Sequence, residues 1–351
     1  MGSRASELND LREALGYVWQ QLSPSPTASW AEGTPEATPS EGPDPYGDPD
    51  PEWLRIDWRE LLQTHDLGEL GEVHYVERGP LEAGGGEATP DPTGGAGREA
   101  TPIVFVHGLS GSWQNWLENI PFFSRHRRVV ALDLPGFGHS PMPPEEISIE
   151  YYGRVLNAFV EDLGLERPAI VGNSMGGFAA AEAVTVDPAR YASLVLVSAA
   201  GISHATMRRE PAEAIARMAA AAAPLALRVQ DSAMRRPKLR EAAFKGLFRH
   251  PELLRTELLY ETLANGAEPP GFVDALVNLS GYDFLDRLEQ VELPTLIVWG
   301  RDDRVVPPHD ATGYAERLRN SRTAIFDECG HLPMLERPTR FNRLLESLLE
   351  G

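Results

Sequence analysis

From Ile103 onward, short apolar runs rich in β-branched residues alternate with stretches of helical length. The runs read IVFVHG, RVVALDLPG, AIVGNS, LVLVSAAG, TLIVWG and TAIFDECG. Such alternation is typical of parallel strands that are joined by right-handed helical crossovers. The pattern therefore predicts an α/β fold with a mostly parallel central sheet flanked by helices.

This alternation is interrupted after Ile202. Ala-rich and Leu-rich helical patterns replace the strands there for roughly eighty residues, which is too long for an ordinary connection. We therefore expect an inserted helical lid over residues 202–287. The sheet-forming core then consists of two parts, residues 53–201 and residues 288–351.

The N-terminal part of the chain has a different pattern. Apolar residues recur at helical spacing from Leu8 to Leu22, which predicts one amphipathic helix over residues 1–22. Residues 23–52 are rich in proline and acidic residues and contain no Lys or Arg, a composition typical of a disordered linker. A glycine-rich stretch over residues 79–101 is expected to be a long hairpin loop between two strands.

Charge and cysteine content argue against several classes of partner. The 351 residues carry a formal net charge of −20, which would repel nucleic acid and anionic membranes. The single cysteine cannot form an intramolecular disulfide, and the N-terminus MGSRASELND carries charges where a signal peptide would need an apolar run. The longest weakly polar stretch, around residues 218–227, is about half as long as a membrane-spanning helix. We therefore expect a cytoplasmic protein, while its oligomeric state stays open. Because the chain has no HExxH helix, paired cysteine ligands or phosphate-binding glycine fingerprint, we expect no metal and no cofactor.

The strongest chemical signal is a serine flanked by glycines. The sequence Gly172-Asn173-Ser174-Met175-Gly176 follows the apolar run PAIV and precedes a helical pattern, which is the context of a G-x-S-x-G nucleophile elbow. Glycines suit this tight turn because it leaves no room for side chains beside the serine. We predict Ser174 as the nucleophile. The alternative for so short a pattern is an ordinary helix cap.

A serine nucleophile requires a base and an acid, which follow it along the chain in the order nucleophile, acid, base. Only His309 and His331 lie late enough to be the base. His331 is preferred because it lies in a turn just after the apolar run TAIF. We assign the acid to Asp303, in the loop after TLIVWG at the carboxyl edge of the predicted sheet, with Asp302 as the fallback.

Two backbone N–H groups are expected to form an oxyanion hole. Leu109 lies in the loop that follows the run IVFV and would supply one N–H, and Met175 would supply the other. His107 precedes the serine in the chain, so we interpret it as a structural hydrogen-bonding residue of this loop. Cys329 is interpreted as a small buried thiol.

Five segments occur in the order HGLSGSWQNW, DLPGFGHS, GNSMGG, WGRDDRVVP and GHLPMLERP. Together they resemble the α/β-hydrolase superfamily, and the resemblance extends from Trp53 to the C-terminus. It implies the α/β-hydrolase fold with Ser174, Asp303 and His331 as the catalytic triad. In similar proteins the segment that contains Asp133 is a structural turn.

The triad predicts a serine hydrolase that acts through an acyl-enzyme on carboxylic esters of small, largely apolar molecules. GNSMGG also resembles the elbow of enzymes that cleave ring-fission products of aromatic degradation between two carbons. Those enzymes commonly carry tryptophan where this chain has Leu332. A non-catalytic binding protein on the same fold is a further alternative. Acyl length and enantiomer preference depend on how the lid packs over the pocket.

Overall fold

The computed structural model describes residues 34–80, 100–205, 234–264 and 270–351. The predicted helix over residues 1–22 lies outside the described residues. So do residues 206–233, which belong to the predicted lid, and most of the predicted hairpin loop.

The predicted apolar runs form strands of one eight-stranded sheet. Its strands are β1 (Leu62–Asp66), β2 (Glu72–Arg78), β3 (Ile103–Val106), β4 (Val129–Asp133), β5 (Ala169–Asn173), β6 (Ser193–Val197), β7 (Thr295–Gly300) and β8 (Ser321–Phe326). Their order in the sheet is β1-β2-β4-β3-β5-β6-β7-β8. β1 and β2 are antiparallel to their neighbours, whereas the strands from β3 to β8 are parallel, as the sequence predicted.

The central strands are apolar throughout because both faces of the sheet are covered. In β3, Val104 and Val106 face one hydrophobic cluster, whereas Ile103 and Phe105 face a second cluster on the opposite side. All four side chains are fully buried. The two clusters fix the strand ends that carry the loops of the candidate site.

Helices cover both faces of the sheet. The α-helices are α1 (Ile120–Phe123), α2 (Ile149–Asp162), α3 (Met175–Val186), α4 (Ile202–Ala205), α5 (Pro237–Phe244), α6 (Thr256–Ala264), α7 (Phe272–Leu279), α8 (Leu285–Leu288), α9 (His309–Arg317), α10 (Pro333–Glu336) and α11 (Pro338–Glu350). Short 3₁₀ helices span Glu52–Arg55, Trp58–Leu61, Gly68–Leu70, Trp113–Trp116, Pro188–Arg190 and Pro251–Leu253. Within the described ranges, no helix combines the length and the apolar character that crossing a bilayer requires.

The described parts of the predicted lid contain helices and no strand between Ile202 and Leu288. Phe248 and Leu258 are buried there, and both belong to the hydrophobic cluster that contains Trp116. This part of the insertion is therefore packed onto the core. The lid itself stays a prediction, because part of it lies outside the described residues.

The stretch over residues 79–101 does not connect paired strands, so the hairpin prediction is wrong. β4 lies between β2 and β3, pairing antiparallel with β2 and parallel with β3. The two strands that flank the stretch in sequence are therefore not neighbours in the sheet. The physical reason is that a connection this long costs little more to close than a short one, so it leaves its two strands free to separate.

Residues 34–52, here called the N-terminal segment, pack along the far edge of the sheet. The N–H of Thr38 donates to the carbonyl of Ile325 at 2.8 Å, and the N–H of Ile325 donates to the Thr38 hydroxyl at 3.0 Å. Because β8 is the last strand of the sheet, these bonds occupy backbone groups that would otherwise form an open edge.

Arginines of the C-terminal helix α11 and the residue before it also hold this segment. Arg337 donates to the carbonyl of Asp44 at 3.0 Å, Arg343 donates to the carbonyl of Pro43 at 2.8 Å, and Arg340 donates to the carbonyl of Thr38. The structure thus differs from the prediction of a disordered linker over residues 23–52, as far as residues 34–52 are concerned. The composition of a segment indicates how much apolar surface the segment can bury by itself. It does not register hydrogen-bond partners such as these arginines, which lie near the other end of the chain.

A buried carboxyl group lies in the loop before α1. Glu118 is only 6% exposed, and within the described ranges its Oε2 has no hydrogen-bond partner. Burial raises the pKa of Glu118 from 4.5 to about 8, and a contact with the Trp53 indole partly offsets the shift. The folded protein therefore holds this proton more tightly than the unfolded chain does. Consequently, ionisation of Glu118 lowers the free energy of unfolding as the pH rises from 4.5 towards 8.

We expect Glu118→Gln to stabilise the protein at alkaline pH. At about pH 9 the variant should exceed the wild type by roughly 2 to 5 kcal/mol in the free energy of unfolding, and at about pH 4 the difference should vanish. Thermal or urea unfolding at both pH values measures it. Glu316→Gln, at an exposed position of α9, is the control and should show no pH-dependent gain. A gain of equal size at both pH values would contradict the explanation by ionisation.

Candidate active site

Ser174 occupies the tight turn between β5 and α3. Its backbone has φ 54° and ψ −119°, a region that non-glycine residues rarely adopt. Hydrogen bonds from Ser174 N–H to the carbonyl of Val197, and from Ala200 N–H to the carbonyl of Ser174, both 3.0 Å, hold this conformation. The end of the neighbouring strand β6 thus holds the strained backbone of Ser174, and the Ser174 side chain lies at the start of α3.

The two glycines of the elbow are required by close backbone contacts. A Cβ added at Gly172 would lie 2.3 Å from the carbonyl oxygen of Gly176, and one added at Gly176 would lie 2.3 Å from that of His107. Both contacts are far shorter than van der Waals distance and involve backbone that cannot move aside. The G-x-S-x-G pattern is thus explained by how closely α3, β5 and the loop after β3 approach one another.

Asp303 and His331 form a buried pair beyond the ends of β7 and β8. His331 Nδ1 lies 2.8 Å from Asp303 Oδ2, and the two residues are 3% and 2% exposed. Asp303 Oδ1 accepts hydrogen bonds from the N–H groups of Val305, at 2.8 Å, and Val306, at 3.0 Å. Because the carboxylate only accepts, Nδ1 carries the proton and Nε2 is left as the basic nitrogen.

The loop of His331 is fastened directly to the elbow. The side-chain amide of Asn173 donates to the carbonyl of Val197 at 3.0 Å and to that of His331 at 3.3 Å. The N–H of His331 donates to the carbonyl of Leu247 at 2.9 Å. The residue that precedes the candidate nucleophile therefore helps to fix the candidate base.

Of the two predicted oxyanion donors, Met175 begins α3 and Leu109 lies in the loop after β3. The described residues provide no hydrogen-bond acceptor for the N–H of Leu109 or of Met175. Gly108 lies against the elbow, since a Cβ there would be 2.9 Å from the Cβ of Ser174. The loop that carries Leu109 thus lies beside the candidate nucleophile, and the N-terminus of α3 adds its positive dipole end.

His107 holds that loop in place. Its Nε2 accepts a hydrogen bond from the N–H of Leu134 at 2.9 Å, so its Nδ1–H is available to the carbonyl of Gly108 at 2.7 Å. Burial lowers the pKa of His107, which keeps the imidazole neutral. The interpretation of His107 as a structural hydrogen-bonding residue is confirmed.

The fallback acid and the rival base have other partners. The carboxylate of Asp302 lies 3.4 Å from the guanidinium of Arg249 and remains partly exposed. His309, at the start of α9, lies 3.5 Å from the carboxylate of Asp310. Neither forms a pair comparable to that of Asp303 and His331.

Two other reactive groups have structural surroundings. Asp133 accepts hydrogen bonds from the N–H groups of Trp113 at 2.7 Å and His139 at 2.8 Å, so it closes a turn, as interpreted. Cys329 is fully buried, and burial raises the pKa of its thiol. A thiol in this state is a poor nucleophile.

Sequence reasoning missed His204, which lies in α4 near the candidate base. Burial and, secondarily, the proximity of His331 lower the pKa of His204 to about 4. Within the described ranges, its Nδ1 has no hydrogen-bond partner. Ser203 anchors the helix through its N–H and hydroxyl, which donate to Asp310 at 3.0 and 2.5 Å. No motif identifies His204, because its position depends on how the chain folds back after β6.

The described ranges contain no group of three or more His, Cys, Asp or Glu side chains suited to hold a metal ion. Asp303 and His331 are instead paired with each other, and Asp303 also accepts hydrogen bonds from backbone N–H groups. The carboxylate of Asp303 fixes the orientation of the His331 imidazole, as general-base chemistry requires.

A mostly parallel sheet with a serine at a strand-to-helix turn and a buried histidine–aspartate pair defines a class of hydrolases. Residues 101–338 match the family model described as alpha/beta hydrolase fold, and this range exceeds half of the chain. The chain therefore belongs to the α/β-hydrolase family, and it is a hydrolase of this fold.

Two relatives and one solved structure are similar to this chain. A 2-hydroxy-6-oxo-6-phenylhexa-2,4-dienoate hydrolase of Comamonas testosteroni is 29% identical over 297 residues, covering 81% of this chain and 92% of the relative. A 2-hydroxy-6-oxononadienedioate/2-hydroxy-6-oxononatrienedioate hydrolase of Cupriavidus pinatubonensis is 30% identical over 268 residues, covering 73% of this chain and 88% of the relative. The structure of a thermophilic esterase from Thermogutta terrifontis superposes with a TM-score of 0.61 at 23% identity, covering 82% of this chain and 98% of that chain. The esterase likeness concerns the fold alone.

Proposed function

We propose that this chain is a serine hydrolase that forms an acyl-enzyme on Ser174. The observation that carries the proposal is the buried 2.8 Å pair of His331 and Asp303, in a loop that Asn173 ties to the elbow. A histidine oriented in this way serves as a general base for a neighbouring serine hydroxyl. An ordinary helix cap on Ser174 would not account for this pair.

In the proposed reaction, Nε2 of His331 accepts the hydroxyl proton of Ser174 while Oγ attacks the substrate carbonyl. The oxyanion accepts hydrogen bonds from the N–H groups of Leu109 and Met175. His331 then gives its proton to the leaving group, and the acyl-enzyme forms. Water repeats the sequence as nucleophile, which releases the carboxylic acid and restores Ser174. The carboxylate of Asp303 stabilises the transient imidazolium.

We propose carboxylic esters of small, largely apolar molecules as the substrates. Leu109, Met175 and Leu332 supply or adjoin the proposed oxyanion donors and base, and their apolar side chains belong to or pack against the hydrophobic clusters of the core. Among the described cationic groups, Arg249 is already paired with Asp302, and burial keeps His204 neutral. Neither Arg249 nor His204 is therefore set up to bind a substrate carboxylate. Residues 202–287, as the proposed lid, would complete the pocket.

A second candidate is hydrolysis of a carbon–carbon bond next to a ketone. It is favoured by relatives named as hydrolases of 2-hydroxy-6-oxo dienoates, which are 29% and 30% identical to this chain. The elbow residue Asn173 does not decide between the candidates, since both donors of its amide are engaged by the carbonyls of Val197 and His331. Leu332, where those enzymes commonly have tryptophan, favours the ester.

The proposal is tested by labelling the protein with a fluorophosphonate probe and by comparing two kinds of substrate. p-Nitrophenyl esters of graded acyl length should be hydrolysed, with the profile giving the size of the acyl pocket. 2-Hydroxy-6-oxo-6-phenylhexa-2,4-dienoate should be turned over much more slowly than the esters. The decrease in its absorbance measures this reaction. Faster turnover of the dienoate would establish the second candidate. Folded protein that neither reacts with the probe nor hydrolyses any of these substrates would favour a non-catalytic binding protein.

We further propose a cytoplasmic location. It is supported by the only cysteine, Cys329, which is buried and free. A reducing compartment suits such a thiol. Cell fractionation tests the location.

A further inference from the structure

Glu336 is a fully buried carboxylate beside the loop of His331. Its Oε1 accepts hydrogen bonds from the N–H groups of Gly330 at 2.9 Å and Leu332 at 3.4 Å, the two residues that flank His331. Its Oε2 accepts the N–H of Arg249 at 2.8 Å. A single side chain therefore holds the backbone on both sides of the candidate base.

Tyr46 of the N-terminal segment completes this arrangement. Its hydroxyl donates to Oε2 of Glu336 and accepts the N–H of His250 at 2.8 Å. The guanidinium of Arg337 lies 5.0 Å from the centre of its ring, and the N–H of Gly47 donates to the carbonyl of Glu336 at 2.8 Å. Burial and the neighbouring carboxylate raise the pKa of Tyr46, so the phenol remains a donor.

Tyr46 lies outside residues 101–338, the range that matches the family model. The contact therefore joins a segment outside the matched family range to the loop of the base. Hydrogen bonds to an ionised acceptor are stronger than those between neutral groups, so the arrangement is stiffest when Glu336 is ionised. Removing the phenol would leave Oε2 with fewer donors.

We propose that Tyr46 acts through Glu336 as a positioning residue that orients the His331 loop for proton transfer. Neither side chain touches the reacting atoms. Their role is to hold the N–H groups of Gly330 and Leu332, and thereby the direction in which Nε2 of His331 points. The proposal rests on the proposed function of His331 as the base.

The charge on Glu336 makes this positioning sensitive to pH. Burial raises the pKa of Glu336 to about 7, and the hydrogen bond from Tyr46 opposes that shift. Titratable and charged groups from every packed element face this region. They are Asp44 and Tyr46 in the N-terminal segment, Arg249 and His250 before the short helix at Pro251–Leu253, and Glu328, Cys329, Arg337 and Arg340 around α10. Loss of the phenol should therefore raise the pKa of Glu336 further.

We expect Tyr46→Phe to lower kcat about ten- to a hundredfold while KM stays unchanged, the effect of one buried hydrogen bond to a charged group. The acidic limb of the pH–rate profile should move to higher pH. Tyr75→Phe is the matched control. The hydroxyl of Tyr75, on β2, donates to the side chain of Gln63, on β1, at 2.9 Å. These two strands lie at the opposite edge of the sheet from β8. It should change neither kcat nor the pH profile.

A double-mutant cycle tests whether Tyr46 acts through Glu336. Glu336→Gln keeps the shape but presents an amide N–H₂ to groups that need an acceptor, so its loss in kcat should exceed that of Tyr46→Phe. Adding Tyr46→Phe to Glu336→Gln should then have no further effect. Additive losses, or an unchanged kcat in Tyr46→Phe, would overturn the proposal.

A spectroscopic measurement separates this proposal from the proposed function. The proton on Nδ1 of His331, bonded to a buried carboxylate, is expected to give a strongly deshielded proton NMR signal. Tyr46→Phe should shift or broaden that signal, whereas Tyr75→Phe should leave it in place. If the wild type shows the signal but no hydrolase activity, only the proposed function fails. If the signal is identical in Tyr46→Phe, the positioning role fails.

Discussion

Replacing Ser174 with alanine is expected to abolish fluorophosphonate labelling and to lower ester turnover by about 10⁴- to 10⁶-fold. The physical reason is that the alanine side chain can neither lose a proton to His331 nor form the acyl-enzyme. The fold should be unaffected, because the Ser174 side chain makes no capping hydrogen bond to α3. Alanine also tolerates φ 54° no worse than serine does.

Ser198 provides a matched control for this substitution. It also has a positive φ, 46°, and is fully buried at the end of β6, next to the elbow. Within the described ranges its hydroxyl has no hydrogen-bond partner. Ser198→Ala should therefore keep labelling and turnover, and both variants should melt within a few degrees of the wild type. Wild-type turnover in Ser174→Ala would reject the assignment of the nucleophile.

The parallel strands were predictable because burial on both faces leaves a continuous apolar run in the sequence. β5 and β7, for example, are buried at every position. β1 gave no such signal, since its sequence LQTHD lies at an edge of the sheet and has no fully buried position. Sequence patterns of this kind report burial, and they therefore find central strands more readily than edge strands.

The N-terminal segment was not predictable from its own composition. Thr38 and Tyr46 contact Ile325 and Glu336, which lie almost three hundred positions further along the chain. A rule that counts apolar and charged residues within a window cannot register partners at that separation. The hairpin prediction failed for a related reason, because adjacency in sequence does not determine adjacency in a sheet when the connection is long.

The candidate triad was predictable because the elbow architecture limits the order of its members along the chain. That order limited the base to His309 and His331, and the positions of His331 and Asp303 just after predicted strands favoured these two residues. The structure brings their side chains within hydrogen-bond distance. The supporting residues carried no such constraint. The motif assigns Asn173 no partner, because the hydrogen bond from its side-chain amide to the carbonyl of His331 depends on the packing of two loops.

Asp303→Asn is expected to lower turnover by about 10⁴-fold, and Asp302→Asn by no more than about twofold. Asp303 Oδ1 accepts two backbone N–H groups, so the oxygen of an asparagine must stay on that side. The amide N–H₂ then faces His331 Nδ1, which has to become an acceptor. The imidazole proton moves to Nε2, where it blocks proton transfer from Ser174.

Asp302 is the matched control, because it adjoins Asp303 and has the same chemistry. It loses only a partly exposed ion pair with Arg249 on substitution. Initial rates with the best p-nitrophenyl ester and the rate of fluorophosphonate labelling measure both variants, and circular dichroism verifies that they fold. Comparable losses in the two variants would indicate that the charge of the loop matters more than the tautomer of His331. A larger loss in Asp302→Asn would transfer the role of the acid to Asp302.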